Sequence, residues 1–150
     1  MTEVFFYHLT ESTLDEALPT LVEKSLGRGW RAVIQSGRAE RRDALDAHLW
    51  SYRSDSFLPH GRDGDGRPAD QPVFLTVSPD NPNGARIRFL VDGAAPPDDL
   101  AAYDRVVLMF DGLDEQALGE ARGHWKALKA GNHELAYYRQ KPDGGWEKAA

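Results

Sequence analysis

Short apolar runs alternate with segments of helical periodicity along this chain, and few folds accommodate that alternation. The runs are rich in Val, Ile, Phe and Tyr, which predicts strands over 4–9, 31–36, 73–77, 86–91, 105–110 and 135–139. Between them, helical spacing of apolar residues predicts helices from a cap at Ser12 or Thr13 to Gly27, over 40–50 and over 111–130. Strands separated by helices favour an α/β fold, and we expect a three-layer αβα sandwich around a mostly parallel, mixed sheet.

The chain is expected to fold as one domain over residues 1–141, with 142–150 as a flexible C-terminal tail. A chain of 150 residues is long enough to bury about 70% of the surface that it exposes when unfolded. Pro19 lies inside the first helical pattern and predicts either a kink or a helix that starts at Pro19. The strands 73–77 and 86–91 are expected to form an antiparallel pair or to be neighbours in the mixed sheet.

Composition narrows the classes of function. The chain has no cysteine, which excludes disulfides, thiol nucleophiles and thiolate zinc sites and fits a reducing cytoplasm. No apolar run approaches about 18 residues and the N-terminus has no basic segment, so we expect neither a transmembrane helix nor a signal peptide. A formal net charge of −6 argues against the broad basic surface of a dedicated DNA-binding protein.

Patterns for catalysis and nucleotide binding are weak. The string G-x-G-x-x-A over 27–32 closes a predicted helix, whereas a dinucleotide site needs it to open one. No phosphate-loop, nucleophile-elbow or H-E-x-x-H pattern occurs. Asp63 and Asp65, close to His60, are the best metal candidates, but the further oxygen ligands of a calcium loop are missing. We therefore expect no catalytic residue, no metal and no cofactor, and a protein that is not an enzyme.

A basic and aromatic run near the C-terminus is the strongest candidate for a binding site. Its sequence is Arg122-Gly-His-Trp125-Lys126-Ala-Leu-Lys129. On a helix, Arg122, Lys126 and Lys129 would form one cationic stripe, with an indole beside it. On an acidic chain such a surface suits a short acidic ligand or peptide. The alternative is structural, because cations near a helix C-terminus complement the helix dipole and Trp125 could be an ordinary core residue.

Several short motifs occur in an order that is typical of one family. They are Ala44-Leu-Asp-Ala-His-Leu-Trp50, Ser56-Phe-Leu-Pro-His60, Gly64-Asp-Gly66 and Gln71-Pro-Val73. Together with the opening run Phe5-Phe-Tyr7, the second strand and the basic helix, they resemble the chi subunit family of bacterial DNA polymerase III holoenzyme. The resemblance covers about residues 3 to 140, and the unit from Trp50 to His60 is its most specific part.

This resemblance implies a non-catalytic accessory subunit of the clamp loader in DNA replication. Chi proteins connect the loader to single-stranded-DNA-binding protein by gripping that protein's acidic C-terminal tail, which ends in Asp-Asp-Ile-Pro-Phe or close to it. Carried over by position, the expected peptide-binding residues are Arg122, Trp125, Lys126, Lys129, Trp50 and Phe57. The cations would clamp carboxylates and the rings would hold the terminal phenylalanine. A psi subunit that bridges chi to the loader is the second implied partner, DNA contact would be indirect, and no membrane partner is expected.

Two alternatives belong to other classes of function. One is a degenerate nucleotide-binding or helicase-like α/β domain, which the layer order permits although the phosphate loop is missing. The other is direct binding of single-stranded DNA by a cluster near the second strand and helix. The residues of that cluster are Trp30, Arg31, Arg38, Arg41 and Arg42. The overall acidic charge favours a solvated helix start over this DNA site.

Overall fold

The structure is a computed structural model, and it describes residues 2–52, 58–131 and 133–150. Within these residues, eight strands form one sheet: β1 Glu3–Leu9, β2 Ala32–Ser36, β3 Gly61–Arg62, β4 Val73–Thr76, β5 Ile87–Val91, β6 Arg105–Asp111, β7 Glu134–Gln140 and β8 Trp146–Lys148. The α-helices are α1 Leu14–Gly27, α2 Ala39–Ser51 and α3 Glu115–Lys129, and short 3₁₀ turns occupy Pro68–Asp70 and Leu100–Ala102. No helix in these ranges is long and apolar enough to cross a membrane.

The strand order is β3-β4-β2-β5-β6-β1-β7-β8, and the pairs are parallel except for the antiparallel pair β7–β8. This order confirms the predicted α/β fold with a mostly parallel, mixed sheet. The expectation for 73–77 and 86–91 is wrong, because β4 and β5 lie on either side of β2 and both run parallel to it. Pairing of strands that are distant in the chain is not encoded in either strand's own pattern.

The helices cover both faces of the sheet, as predicted. Leu18 of α1 and Leu45 of α2 belong to one buried cluster, whereas Ala121 and Leu128 of α3 belong to the other. We call these two sides the α1/α2 face and the α3 face. The arrangement follows from the right-handed crossovers that connect parallel strands. The chain moves in one direction along the sheet from β1 to β2 and on towards β4, and in the opposite direction from β6 to β7. Crossovers of the same hand that run in opposite directions place their helices on opposite faces of the sheet.

A capping box at the start and glycines at the end set the limits of helix α1. The Thr13 hydroxyl accepts a hydrogen bond from the Glu16 amide at 3.3 Å, and the Glu16 carboxylate accepts one from the Thr13 amide at 3.1 Å, which forms a capping box. This cap starts the helix at Leu14, so the alternative start at Pro19 is wrong, and Pro19 lies buried inside the helix. The helix stops at Gly27, and Gly29 has a φ of 82°, so the G-x-G string is a helix end followed by a turn.

The segment after Pro142 is not a frayed tail in the structure. A turn leads into β8, which pairs with β7, and the Gly145 carbonyl accepts a hydrogen bond from the Lys141 amide at 2.7 Å. The Trp146 ring packs edge-on against Tyr7, with 4.8 Å between ring centroids. The prediction of a flexible tail over 142–150 therefore fails at 146–148, because burial of this indole requires a partner in β1 that no local pattern reveals.

Candidate functional site

Helix α3 carries the cationic stripe that the sequence predicted. Asp114 caps the helix by accepting hydrogen bonds from two backbone amides of its first turn. Arg122, Lys126 and Lys129 are exposed on α3, and within the described residues none of the three lies within ion-pair distance of a carboxylate. Unlike most arginines of this chain, they remain available to an external anion. We call Arg122, Trp125, Lys126 and Lys129 together the α3 surface.

Trp125 is packed on the core and partly exposed. It is half-buried and packs against the core on the α3 face, with ring centroids 5.2 Å from Phe6 and 5.8 Å from Tyr137, both edge-on. These contacts fix the indole as an aromatic wall. The partial exposure leaves part of the ring accessible beside Arg122 and Lys126.

Strand β7 adds a residue that sequence reasoning missed. Arg139 is exposed and follows Tyr137 by two positions, so both lie on the α3 face. The phenol of Tyr137 lies 2.6 Å from Nδ1 of buried His8. Burial lowers the pKa of His8, and the charges of Arg139 and Arg122 lower it further against an opposing effect of Asp111. The guanidiniums of Arg122 and Arg139 therefore both affect the pKa of the same imidazole. Arg139 extends the positive potential of α3 onto the sheet.

The same charges act on Tyr137. Burial raises the pKa of its phenol, and Arg139 and Arg122 partly oppose that rise.

The sequence held one signal for Arg139. Side chains alternate along a strand, so counting along β7 from Leu135 would have placed positions 137 and 139 on the same side as Leu135.

The structure does not bring Trp50 together with the α3 surface. Trp50 is 54% exposed near the end of α2, and its ring centroid lies 4.2 Å from that of His60. Because α2 covers the α1/α2 face, the sheet separates Trp50 from Trp125. Phe57 lies outside the described residues. The sheet therefore separates two of the rings that the resemblance assigned to the peptide site, those of Trp50 and Trp125.

The metal candidates have other partners. Asp63 accepts hydrogen bonds from Arg42 at 2.9 Å and from the Val77 amide at 3.1 Å, and Nδ1 of buried His60 lies 2.6 Å from the Leu58 carbonyl oxygen. Asp65 accepts from a backbone amide in its own turn. Among the residues that the structure describes, no group of three or more His, Asp or Glu side chains is placed to hold a metal.

The guanidiniums proposed for single-stranded DNA are mostly used inside the protein. Arg41 contacts Asp15 at 2.8 Å and Asp92 at 3.2 Å, and Arg42 contacts Asp43 and Asp63. Arg31 donates to two backbone carbonyls, and Arg38 makes a loose surface pair with Glu40 at 3.7 Å. These contacts reduce the number of cations near the second helix that are free for phosphates.

A cavity lies where a nucleotide would bind in a fold of this class, but its charge is unsuitable for a phosphate. It measures about 730 Å³ and opens at the carboxyl ends of β1 and β6, whose following helices cover opposite faces. Its carboxylates come from Glu11, Asp92, Asp111, Asp114 and Glu120, and Arg38 is the cation in the lining. Carboxylates at this density oppose phosphate binding.

Fold and surface together define a mostly parallel α/β protein that presents a cationic and aromatic helix to solvent. The family model described as DNA polymerase III chi subunit, HolC, matches residues 1–136, and the chain belongs to this family. The resemblance drawn from the sequence motifs is thereby confirmed, and membership indicates an accessory subunit in DNA replication.

Two relatives show the extent of similarity. The chain is 26% identical over 160 residues to the probable DNA polymerase III subunit chi of Rickettsia prowazekii, covering 100% of this chain and 93% of that protein. It is 32% identical over 63 residues to the DNA polymerase III subunit chi of Pseudomonas aeruginosa, covering 40% of this chain and 44% of that protein. Similarity to the first relative thus extends over the whole length of the chain.

Proposed function

We propose that this chain is a non-catalytic accessory subunit that tethers the polymerase III clamp loader to single-stranded-DNA-binding protein. The α3 surface would grip the acidic C-terminal tail of that protein, and no bond chemistry takes part. The observation that carries this proposal is the set of exposed α3 cations that form no ion pair with any residue the structure describes, placed beside an aromatic wall. It rests also on the family to which the chain belongs.

The carboxylates of the tail and its terminal phenylalanine ring would contact different residues of the α3 surface. Arg122 and Lys126 lie four positions apart on one helix face, so they can contact neighbouring carboxylates through charge-assisted hydrogen bonds. Trp125 offers the flat apolar surface against which a terminal phenylalanine can pack. Arg139 adds positive potential from β7, and Lys129 does so one turn further along α3. A contact of this kind typically has micromolar affinity, about −8 kcal/mol.

The position of Trp50 changes one part of the proposal. It lies on the α1/α2 face and does not belong to the α3 surface, so tail binding should not depend on it. The psi subunit remains the second partner that we propose on the basis of the family, as the bridge to the loader. No described residue identifies the surface that psi would use.

Calorimetric titration with a peptide ending in Asp-Asp-Ile-Pro-Phe tests the tethering surface. We expect Arg122→Ala and Lys126→Ala each to weaken binding about 10-fold, the size of an interaction with a charged group, while the circular dichroism spectrum stays unchanged. Arg86→Ala is the matched control, because Arg86 is exposed and already paired with Asp104 at 2.7 Å, and it should bind like the parent. Amidation of the peptide's C-terminus should also weaken binding.

Unchanged affinity in both α3 variants would remove the assignment of this helix. Fluorescence anisotropy with a bare single-stranded oligonucleotide is the second arm of the test. Saturable oligonucleotide binding that Arg31→Ala weakens and Lys126→Ala leaves unchanged would favour direct DNA binding over tail binding.

A further inference from the structure

A groove with an apolar floor and cations at its rim lies on the α1/α2 face, away from the α3 surface. It measures about 520 Å³ and runs between the C-terminal half of α1 and Trp146 of β8. Buried Ile87, Phe89 and Val107 form its floor, and half-buried Tyr7 and Trp146 form one wall. We call it the α1/β8 groove.

Three cations line the α1/β8 groove, and few acids offset them. They are Lys24 and Arg28 at the end of α1 and Arg105 at the start of β6. In the described part of the chain, only Arg105 of the three has an ion pair, with Glu3 at 2.9 Å. Glu23, beside Lys24 in sequence, accepts a hydrogen bond from the hydroxyl of Tyr52 instead. The rim therefore has an excess of positive charge in a protein whose net charge is −6.

Two of the three cations at this rim, Arg28 and Arg105, lie over the indole of Trp30. The guanidinium carbon of Arg28 lies 4.8 Å from the ring centroid of Trp30, and that of Arg105 lies 5.2 Å from it. Contacts of this type stabilise a guanidinium over a ring without neutralising its charge. Arg28 is thus held near the groove while its donors stay available to an anion, whereas Arg105 donates from Nε and Nη2 to the carboxylate of Glu3.

The rings of this groove are packed against one another, which argues for a peptide over a nucleic acid. Tyr7 stacks on Tyr138 with an interplanar angle of 16°, and Trp146 meets Tyr7 edge-on at 84°. Single-stranded nucleic acids need open ring faces on which bases can stack. An aliphatic or phenyl side chain needs only an apolar floor, and carboxylates beside it would complement the rim.

We propose that the α1/β8 groove binds a short acidic peptide segment that carries a bulky apolar side chain. The apolar side chain would lie on the floor formed by Ile87, Phe89 and Val107. Its neighbouring carboxylates would contact Lys24 and Arg28. Because the sheet separates this groove from the α3 surface, the two sites can be occupied at the same time, and the proposal does not depend on tail binding by α3.

Nuclear magnetic resonance on the full chain tests this groove in a variant whose α3 surface is disabled. The background is Arg122→Ala with Lys126→Ala, the probe is the peptide Asp-Asp-Ile-Pro-Phe with a free C-terminus, and the readout is the set of indole N–H signals of the 4 tryptophans. We expect the signals of Trp146 and Trp30 to shift saturably. Adding Lys24→Ala with Arg28→Ala should weaken that binding about 3-fold to 10-fold, as expected for exposed charge contacts.

A matched charge control and two outcomes make the result decisive. Arg86→Ala removes one exposed cation outside the groove and should leave the titration unchanged. Unshifted Trp146 and Trp30 signals at millimolar peptide would overturn the proposal, and so would shifts produced by an oligothymidine but not by the peptide. Failure of the tethering proposal is a separate result, because it appears as unchanged peptide affinity in the Arg122→Ala and Lys126→Ala variants.

Discussion

Helices α2 and α3 both present basic side chains, but they use them differently. On α2, Arg41 bridges Asp15 and Asp92, and Arg42 is paired with two further carboxylates. Burial alone would lower the pKa of Arg41, but its contacts with these acids outweigh that effect and raise the pKa. On α3, the cations at 122, 126 and 129 have no such carboxylate partner in the described ranges.

The two helices differ in whether their cations are paired with carboxylates of the described part of the protein. The protein has 24 acidic and 18 basic side chains, so a cation without a carboxylate partner is not explained by a shortage of acids. The α2 arginines join elements of the fold, whereas the α3 cations have no carboxylate partner among the described residues and, under the proposed function, are available to an external partner. Cations of the first kind should affect stability when removed, and cations of the second kind should affect binding.

The guanidinium of Arg88 is hydrogen-bonded entirely within the protein, and removal of this side chain should give the largest loss of stability among these variants. Its side chain is fully buried in the sheet, and its guanidinium donates to Gln35, to the Tyr103 hydroxyl and to the carbonyls of Ser78 and Asp80. Arg88→Ala removes the donor from each of these acceptors, among them the buried Tyr103 hydroxyl, and creates a cavity at a fully buried position. We expect the free energy of unfolding to fall by about 3 kcal/mol or more, measured by urea denaturation.

Arg86, two positions before Arg88 and directly before β5, provides the control. Its pair with Asp104 is exposed, so Arg86→Ala should change the free energy of unfolding by less than about 1 kcal/mol. Equal losses in the two variants would show that the internal hydrogen bonds of Arg88 do not stabilise the fold.

Arg41 and Lys126 should give opposite results in paired measurements. Arg41→Ala should lower the free energy of unfolding by about 1 kcal/mol because it breaks two partly buried ion pairs, and it should leave affinity for the tail peptide unchanged. Lys126→Ala should weaken peptide binding and leave the urea midpoint unchanged. A loss of peptide affinity in Arg41→Ala would contradict the division between structural and binding cations.

Arg139 should give a smaller effect on binding than Arg122. It lies on β7 beside the α3 surface, so Arg139→Ala should weaken affinity for the tail peptide about 2-fold to 5-fold, as a peripheral charge does. Arg139→Lys should restore most of it, because the contribution is mainly one of charge. If Arg139→Ala binds the peptide as tightly as the parent and Arg122→Ala does not, the peptide-binding site does not extend from α3 to β7.

His8 should report the charge of the same surface. Its pKa is lowered by burial and then by Arg139 and Arg122, so Arg122→Ala and Arg139→Ala should each raise the pKa in a proton NMR titration. An acidic peptide bound to α3 should raise it too, because its carboxylates offset both cations. Lys24→Ala, on the α1/α2 face, should leave the pKa of His8 unchanged.

The sign of the pH dependence follows from the direction of that shift. Because the pKa of His8 in the folded chain lies below the ordinary value of 6.5, the unfolded chain binds more protons between the two values. The His8 contribution to stability is therefore complete above pH 6.5 and is lost as the pH falls from there through the folded pKa. A His8→Gln variant that retained the same slope of stability in that window would assign the effect to other groups.

Most of the fold could be predicted because its elements are locally encoded. The runs at 4–9 and 105–110 became β1 and β6 with shifts of one residue at their ends, and the Thr13 cap set the start of α1. Two features depend on distant partners and were not predicted. Strand β8 needs Tyr7 to bury Trp146, and the places of β4 and β5 are decided by β2, which separates them.

The candidate binding surface was predictable where its residues share one helix and unpredictable where they lie on different elements. Helical spacing placed Arg122, Trp125 and Lys126 together. Motif order suggested that Trp50 belongs with them, but motif order carries no information about which face of a sheet a helix covers. Crossover direction decides that, and it puts α2 and α3 on opposite faces.

The first strand of the chain lies near the middle of the sheet, and this placement affects how the protein is made. β1 pairs with β6 and β7, and His8 contacts Tyr137, 129 positions further along the chain. A ribosome releases the apolar run of β1 long before either neighbouring strand has been synthesised. That run lacks its neighbours in the sheet until β6 and β7 have been synthesised, so a chaperone that shields it during synthesis should raise the yield of folded protein.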